Sequence, residues 1–171
     1  MIKFTRTASI LPVLRGTLDR YTDKEFGHIP FVQQRSWASP DWTVVLEEDG
    51  ELATFCNVVV RTVSFDGQLY KAAGINNVIT SKQHRGKGYS SSVLRETQAY
   101  LFDTLHADCG LLLCAAALLP FYSRLGWYTV NSILYYEQPQ GSELYDSNIM
   151  LLTKPDAPRT FPELIDLNGL P

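Results

Sequence analysis

Cysteine is scarce. Cys56, Cys109 and Cys114 are the only three in 171 residues, an odd number without metal-type pairing, so neither a disulfide framework nor a cysteine zinc site is encoded. Two of them lie in apolar, strand-like stretches and read as buried free thiols, with a reactive Cys114 as the alternative. His28, His84 and His106 stand far apart and none belongs to a His-Glu-x-x-His pattern, so no metal is expected. Positive charge is not concentrated either: 15 Lys and Arg against 18 Asp and Glu give a net charge of -3, with the cations scattered. That excludes the basic stripe a nucleic-acid partner requires. No apolar run approaches the roughly 20 residues that cross a bilayer, and no basic segment followed by an apolar core opens the chain. The expectation is a cytoplasmic protein with no membrane partner, folded as one domain over residues 1–171.

What is present is strand pattern punctuated by turns. Ile2 to Thr7 alternates as a first strand, and Ile10, Leu11, Leu14, Leu18 and Tyr21 form one helical stripe over Ile10 to Tyr21. Thr22 to Asp41 mixes Gly27, Pro30 and Pro40 with Phe26, Phe31 and Trp37, and reads as a loop or short helix, a substrate-facing flap. Trp42 to Glu47, Leu52 to Phe65 and Gln68 to Thr80 are strand-like runs separated by Asp49-Gly50 and Asp66-Gly67, which predicts an antiparallel meander. Val93, Leu94, Thr97, Leu101 and Leu105 give a helix from about Tyr89 to Leu105 one buried face, and Leu111 to Cys114 is a short apolar strand. A helix is predicted from Leu119 or Pro120 to Gly126. Trp127 to Glu137 and Asn148 to Lys154 then read as closing strands joined by a polar loop with Gly141 and Ser142, before an irregular tail from Pro155 to Pro171.

Between the strand Ile75 to Thr80 and the helix at Tyr89 lies Gln83-His84-Arg85-Gly86-Lys87-Gly88. A strand, a glycine turn and a helix start make an anion cradle, because the first N–H groups of a helix are unpaired and its N-terminus carries about half a positive charge. Gly86 and Gly88 let a ligand approach the backbone without meeting a Cβ. Two familiar phosphate loops are excluded by position. Walker A would need Gly where Ser81 stands and Ser or Thr where Gly88 follows Lys87; the dinucleotide fingerprint would need Gly or Ala at Ser91, after an opening βαβ unit.

Gln83, Gly86 and Gly88 match the Gln/Arg-x-x-Gly-x-Gly/Ala motif of the GCN5-related N-acetyltransferase (GNAT) superfamily, which the chain resembles over most of its length. Phe121-Tyr122-Ser123-Arg124-Leu125-Gly126-Trp127 is similar to that family's Phe-Tyr-x-x-x-Gly-Phe/Trp segment, in the same order and at the expected distance. The resemblance implies an α/β (α+β) fold with a mixed, mostly antiparallel central sheet flanked by helices, splayed between Gln68 to Thr80 and Leu111 to Cys114 to admit acetyl-CoA as acyl donor. It implies that Arg85, Gly86, Lys87, Gly88, Tyr89 and Ser90 bind the pyrophosphate, that Val78, Ile79 and Thr80 pair with the pantetheine arm, and that the Val78 N–H polarises the thioester carbonyl. Tyr122 is implied as general acid, its phenol near ~10 lowered toward a thiolate of about 8.5 by a helix N-terminus; a packed aromatic is the other reading. Within the superfamily the layout is most similar to aminoglycoside 2'-N-acetyltransferases, and Ile165 to Pro171 resembles the ends of those enzymes and of nodulation acyltransferases, without the former's terminal Trp.

Asn76 departs from that likeness: it stands where the aminoglycoside enzymes carry Glu, and it cannot act as a base. Asn76 and Asn77 are candidates for acceptor contact or for ordinary core satisfaction. Asp19, Asp23, Glu25, Glu137, Glu143 and Asp146 are the other acids near the expected acceptor cleft, with plain surface charge as the alternative. The expected reaction is acetyl transfer to a primary amine of a small molecule by direct attack in a ternary complex. The alternatives are a protein or peptide acceptor, or a CoA-binding module without catalysis; homodimerisation is left open.

Overall fold

The computed structural model describes every residue from Met1 to Pro171. The chain forms β1 (Ile2–Arg6), α1 (Pro12–Phe26), α2 (Pro30–Gln33), β2 (Trp42–Glu48), β3 (Glu51–Phe65), β4 (Gln68–Thr80), α3 (Tyr89–Asp103), β5 (Cys109–Cys114), α4 (Leu119–Ser123), β6 (Tyr128–Val130), β7 (Ile133–Gln138), β8 (Gly141–Tyr145), β9 (Asn148–Thr153) and β10 (Leu164–Asp166). All ten strands join one sheet in the order β6-β9-β5-β4-β3-β10-β7-β8, with β1 and β2 continuing from β3. Only β4 with β5 and β10 with β7 pair in parallel; the other seven pairings are antiparallel.

The β2–β3–β4 meander follows from its turns. Asp49 and Gly50 have φ of 51° and 79°, Asp66 and Gly67 of 50° and 85°. Two consecutive left-handed residues make the turn whose twist matches paired strands, and Asp-Gly is a dipeptide that tolerates it. The central helix α3 buries Val93, Leu94, Thr97 and Leu101 against Val58, Ala73, Ile75 and Leu112. Helix α1 lies on another part of the sheet, where Leu18 packs with Ile10, Val45, Phe55 and Ile79.

Several boundaries differ from the sequence expectations, among them that of α4, which ends at Ser123 instead of Gly126. The first helix starts at Pro12, because proline suits a position whose N–H is unpaired anyway, and it runs on to Phe26, carrying Asp23 and Glu25 with it. The expected strand from Trp127 to Glu137 breaks at Asn131-Ser132: β6 stays on β9 while β7 turns away to β8 and β10. Gly141 and Ser142 open β8, an edge strand hydrogen-bonded only to β7. The tail is not irregular throughout, since Leu164–Asp166 slots between β3 and β7.

Gly110 marks the tightest point of the core. A Cβ there would lie 2.8 Å from the Trp127 ring and 3.2 Å from the Leu152 Cβ, and the indole is almost wholly buried. Gly110→Ala is therefore expected to destabilise the fold by about 1–3 kcal/mol through overpacking, read as a lower urea midpoint with an unchanged slope.

Candidate functional site

Strands β4 and β5 pair only over Ala72–Gly74 with Cys109–Leu111. Beyond Gly74, β4 continues for six residues, Ile75 to Thr80, with no β5 partner. That edge can accept the amides of an extended ligand by strand addition. On its other side β4 stays paired with β3, but the register shifts between Phe55 and Asn57, and Asn77 adopts φ of 50°. This is a β-bulge, and asparagine is among the few side chains that tolerate the left-handed residue. Its effect is visible in the packing: Ile75 and Val78 contact the cluster around α3, whereas Ile79 faces α1. Without the extra residue, Ile75 and Ile79 would share a face. The adjacent Asn-Asn pair inside an apolar strand was the only sequence signal for it.

The glycine turn follows directly. Ser81 donates its N–H to the Ala53 carbonyl at 2.9 Å, and its hydroxyl lies 2.7 Å from Nδ1 of the buried His84. Gly86 and Gly88 have φ of 77° and 80°, and a Cβ at either would meet no atom within 4 Å. Gly88 is the N-cap of α3, and its carbonyl accepts from Ser92 N at 3.0 Å. Tyr89 and Ser90 thus sit in the first turn of a helix whose N–H groups open to one side. Lys87 is exposed at the mouth. Arg85 is engaged elsewhere: its guanidinium pairs with Glu25 at 3.0 Å and donates to the Thr80 carbonyl at 3.1 Å, while Gln83 donates to Glu51. These contacts tie the turn to α1 and β3. A cavity of about 270 Å³ bounded by Tyr21, Glu25, Thr80, Lys82 and Arg85 adjoins it.

Tyr122 lies in the short helix α4, only 7 % exposed, in the same apolar cluster as Cys56 and Cys114, against which Val78 also packs. Its phenol is pushed well above the ordinary tyrosine value by burial, with further contributions from Cys114 and Cys56. The lowering expected from the helix N-terminus is therefore corrected: desolvation of the phenolate outweighs the dipole of so short a helix. Tyr122 remains a neutral proton donor. All three cysteines are free and buried, and burial raises Cys56 and Cys109 to about 12 and raises Cys114. Cys114 is thus held as a thiol at neutral pH, which disfavours it as an acyl-accepting nucleophile.

On the sheet face away from α3, a cavity of about 90 Å³ opens where β4 parts from β5, lined by 13 residues that include Trp37, Arg61, Asn76, Leu113, Leu167 and Pro171. Asn76 reaches it and Asn77, turned by the bulge, does not. Nor does any of Asp19, Asp23, Glu25, Glu137, Glu143 or Asp146; Glu143 instead pairs with Arg35 at 3.4 Å and accepts from the Tyr136 hydroxyl at 2.9 Å. The expected flap is held in place by that pair and by a two-way bond between the Gln138 amide and the Ser36 backbone, 2.9 Å in each direction. Trp37 comes from the segment expected as a flap and Leu167 from the tail segment Ile165 to Pro171, whereas Arg61 was not recognised from sequence. A lone cation inside an apolar strand run was the signal that could have found it.

A family model described as an acetyltransferase (GNAT) domain matches residues 23–130, which spans the meander, the glycine turn, α3 and the Tyr122 segment. No curated protein matches the chain. Among solved structures, the chain is similar to the Escherichia coli GNAT family N-acetyltransferase YhbS in complex with CoA, with TM-score 0.63 and 15% identity, covering 98% of this chain and 89% of that one. Escherichia coli ElaA gives TM-score 0.61 at 15% identity over 89% and 99% of the two chains. A GNAT family acetyltransferase from Brucella melitensis in complex with acetyl-CoA gives 0.56 at 16% over 93% and 92%. These likenesses bear out the expected fold: a mixed, mostly antiparallel sheet flanked by helices. No helix is long and apolar enough to cross a membrane.

Proposed function

The chain belongs to the GNAT acetyltransferase domain family, matched over more than half its length, and on that premise we propose that it moves an acetyl group from acetyl-CoA to a primary amine of a small molecule. The observation that carries this reading is the juxtaposition of the unpaired β4 edge, Ile75 to Thr80, with the glycine turn that caps α3. An extended amide-bearing arm fits the first and a pyrophosphate the second. Backbone groups of Arg85, Gly86, Lys87, Gly88, Tyr89 and Ser90 hold the pyrophosphate, Lys87 adds charge, and Val78, Ile79 and Thr80 hold the pantetheine arm.

The donor supplies a thioester. A neutral amine attacks its carbonyl, a C–N bond forms, the C–S bond breaks, and Tyr122 gives its proton to the leaving sulfur while the nitrogen's proton passes to solvent. Asn76 contacts the acceptor, the expected contact from Asn77 is not made because the bulge turns it aside, and the Val78 N–H polarises the carbonyl.

The test is free-CoA release from acetyl-CoA against alkylamines, polyamines, aminoglycosides, amino acids and short peptides. Amine-dependent release with a mass gain of one acetyl group on the acceptor is expected. Release with peptides alone would replace the small-molecule acceptor with a protein one, and bound CoA with no release would leave a CoA-binding module.

A further inference from the structure

Resting on that reading, we infer that the donor site takes acyl groups longer than acetyl, butyryl to hexanoyl, whose uncharged chain runs on from the thioester into the gap between β4 and β5 and lies over Gly74. The cavity beside β4 is lined by consecutive residues of both strands, Gly74, Ile75 and Asn76 from β4 and Leu111, Leu112 and Leu113 from β5. Successive strand residues point to opposite faces of a sheet. Accordingly Ile75 and Leu112 belong to the cluster under α3, whereas Leu111 and Ala72 belong to the cluster on the other face. The cavity is therefore the inner end of the gap itself, closed by the last β4–β5 pair, Gly74 with Leu111. The direction of the donor arm is set by the elements that hold it: pyrophosphate at the glycine turn beyond Thr80, amides along the unpaired edge back toward Ile75. The thioester comes last, and whatever the carbonyl carries continues toward Gly74.

Gly74 makes the space for that chain. Its neighbours across the sheet are Val59 on β3 and Leu111 on β5, so the row has side chains at both sides and a notch in the middle. Backbone conformation does not require glycine there, because Gly74 is not among the residues with positive φ. Crowding does not require it either: a Cβ would lie 3.6 Å from the Val59 carbonyl oxygen and 3.8 Å from that of Leu111, in ordinary contact. A glycine inside a strand weakens it and marks a place where a ligand comes close to the backbone. Val59, Ala72, Ile75, Leu111, Leu112 and Leu113 surround the notch with apolar surface. Arg61, Asn76 and Pro171 put polar and charged groups on the same wall; a neutral chain is indifferent to their sign. The cavity is half open to solvent, so it sets no upper limit on chain length, and methylenes near the mouth gain less than those beside Gly74.

The test is the affinity of the full chain for acetyl-, butyryl-, hexanoyl- and succinyl-CoA, measured by titration calorimetry without an acceptor. A buried methylene contributes about fourfold and a half-buried one about twofold, so butyryl-CoA should bind about 4- to 16-fold tighter than acetyl-CoA. Hexanoyl-CoA should bind at least as tightly as butyryl-CoA, and succinyl-CoA no tighter than acetyl-CoA. Gly74→Val, which fills the notch, should erase the difference between butyryl- and acetyl-CoA, and Gly74→Ala should give an intermediate ratio; a general loss of affinity would leave the ratio where it was. Equal affinity for the acetyl, butyryl and hexanoyl donors, or a preference for succinyl-CoA, overturns the inference and leaves acetyl transfer standing. A butyryl preference that survives intact in Gly74→Val also overturns it, because the chain then lies elsewhere. No binding of acetyl-CoA would overturn the donor site on which the inference rests. Should Gly74→Val fail to fold, Gly74→Ala and the parent series decide.

Discussion

Replacing Tyr122 with phenylalanine should lower kcat by about 10²- to 10⁴-fold, the range expected when a positioned general acid is removed, with little change in KM. The variant isolates the hydroxyl. The ring packs against Phe121 and Trp127 in edge-on contacts with centroids 5.1 and 6.4 Å away, which phenylalanine preserves. The hydroxyl sits among apolar neighbours and two thiols, and no hydrogen bond acts on it. Its loss therefore should not destabilise the fold, and an unchanged melting midpoint would assign the lost rate to chemistry. The pH profile gives a second, independent readout. Burial raises the Tyr122 phenol, so the protonated form persists through pH 9.5 and contributes no alkaline fall in activity. Over the same interval the acceptor, with a solution value near ~10.4, becomes more neutral as pH rises. The parent profile of kcat/KM should climb, and the Tyr122→Phe profile should run below it with the same shape. A downturn between pH 8 and 9.5 that disappears in the variant would mean a depressed phenol and contradict the burial. Full turnover by the variant at every pH would remove Tyr122 from the chemistry.

The parts of this architecture written in local residues were legible in the sequence. Asp49-Gly50 and Asp66-Gly67 favour left-handed turns between strand-like runs, so the meander they bound was legible from local residues. The glycine turn was legible for the same reason: Gly86 and Gly88 adopt the left-handed conformation the motif requires, immediately before α3. What escaped depends on distant partners. Leu164–Asp166 becomes a strand only because β3 and β7 lie open on either side of it. Asn77 is a bulge only because Cys56 has no one-to-one partner across the ladder. The raised phenol of Tyr122 comes first from burial in a cluster assembled from several strands and helices, with smaller contributions from Cys114 and the distant Cys56. The cavity beside β4 draws Trp37, Arg61, Asn76, Leu111 and Leu167 from five separate segments. None of these is periodic, and a reading based on neighbouring residues could not assemble them.

Gly88→Val should weaken CoA binding by about 10²-fold, the loss of roughly two hydrogen bonds to a charged group. Gly88 stands at φ of 80° and ψ of 3°, a conformation that costs a residue with a Cβ about 1–2 kcal/mol. A Cβ there would touch nothing within 4 Å, so the protein should fold, with a modest loss of stability and no clash. The damage falls on the ligand. The isopropyl group stands in the open space through which an anion reaches the N–H groups of the first turn, and relaxation toward negative φ would turn those groups aside. Gly88→Ala separates the two effects, because it carries the backbone strain with far less bulk; its affinity should fall between those of the parent and Gly88→Val. Ligand fragments locate the loss. Dephospho-CoA, which keeps the pyrophosphate, should weaken as much as CoA, whereas pantetheine, which has only the arm that lies along Ile75 to Thr80, should bind both proteins equally. Titration calorimetry with the three ligands reads this directly. An unchanged CoA affinity would mean that the turn does not hold the pyrophosphate. An equal loss for pantetheine would mean that Gly88→Val acts by deforming the β4 edge, and the anion cradle would lose its support even though the affinity had dropped.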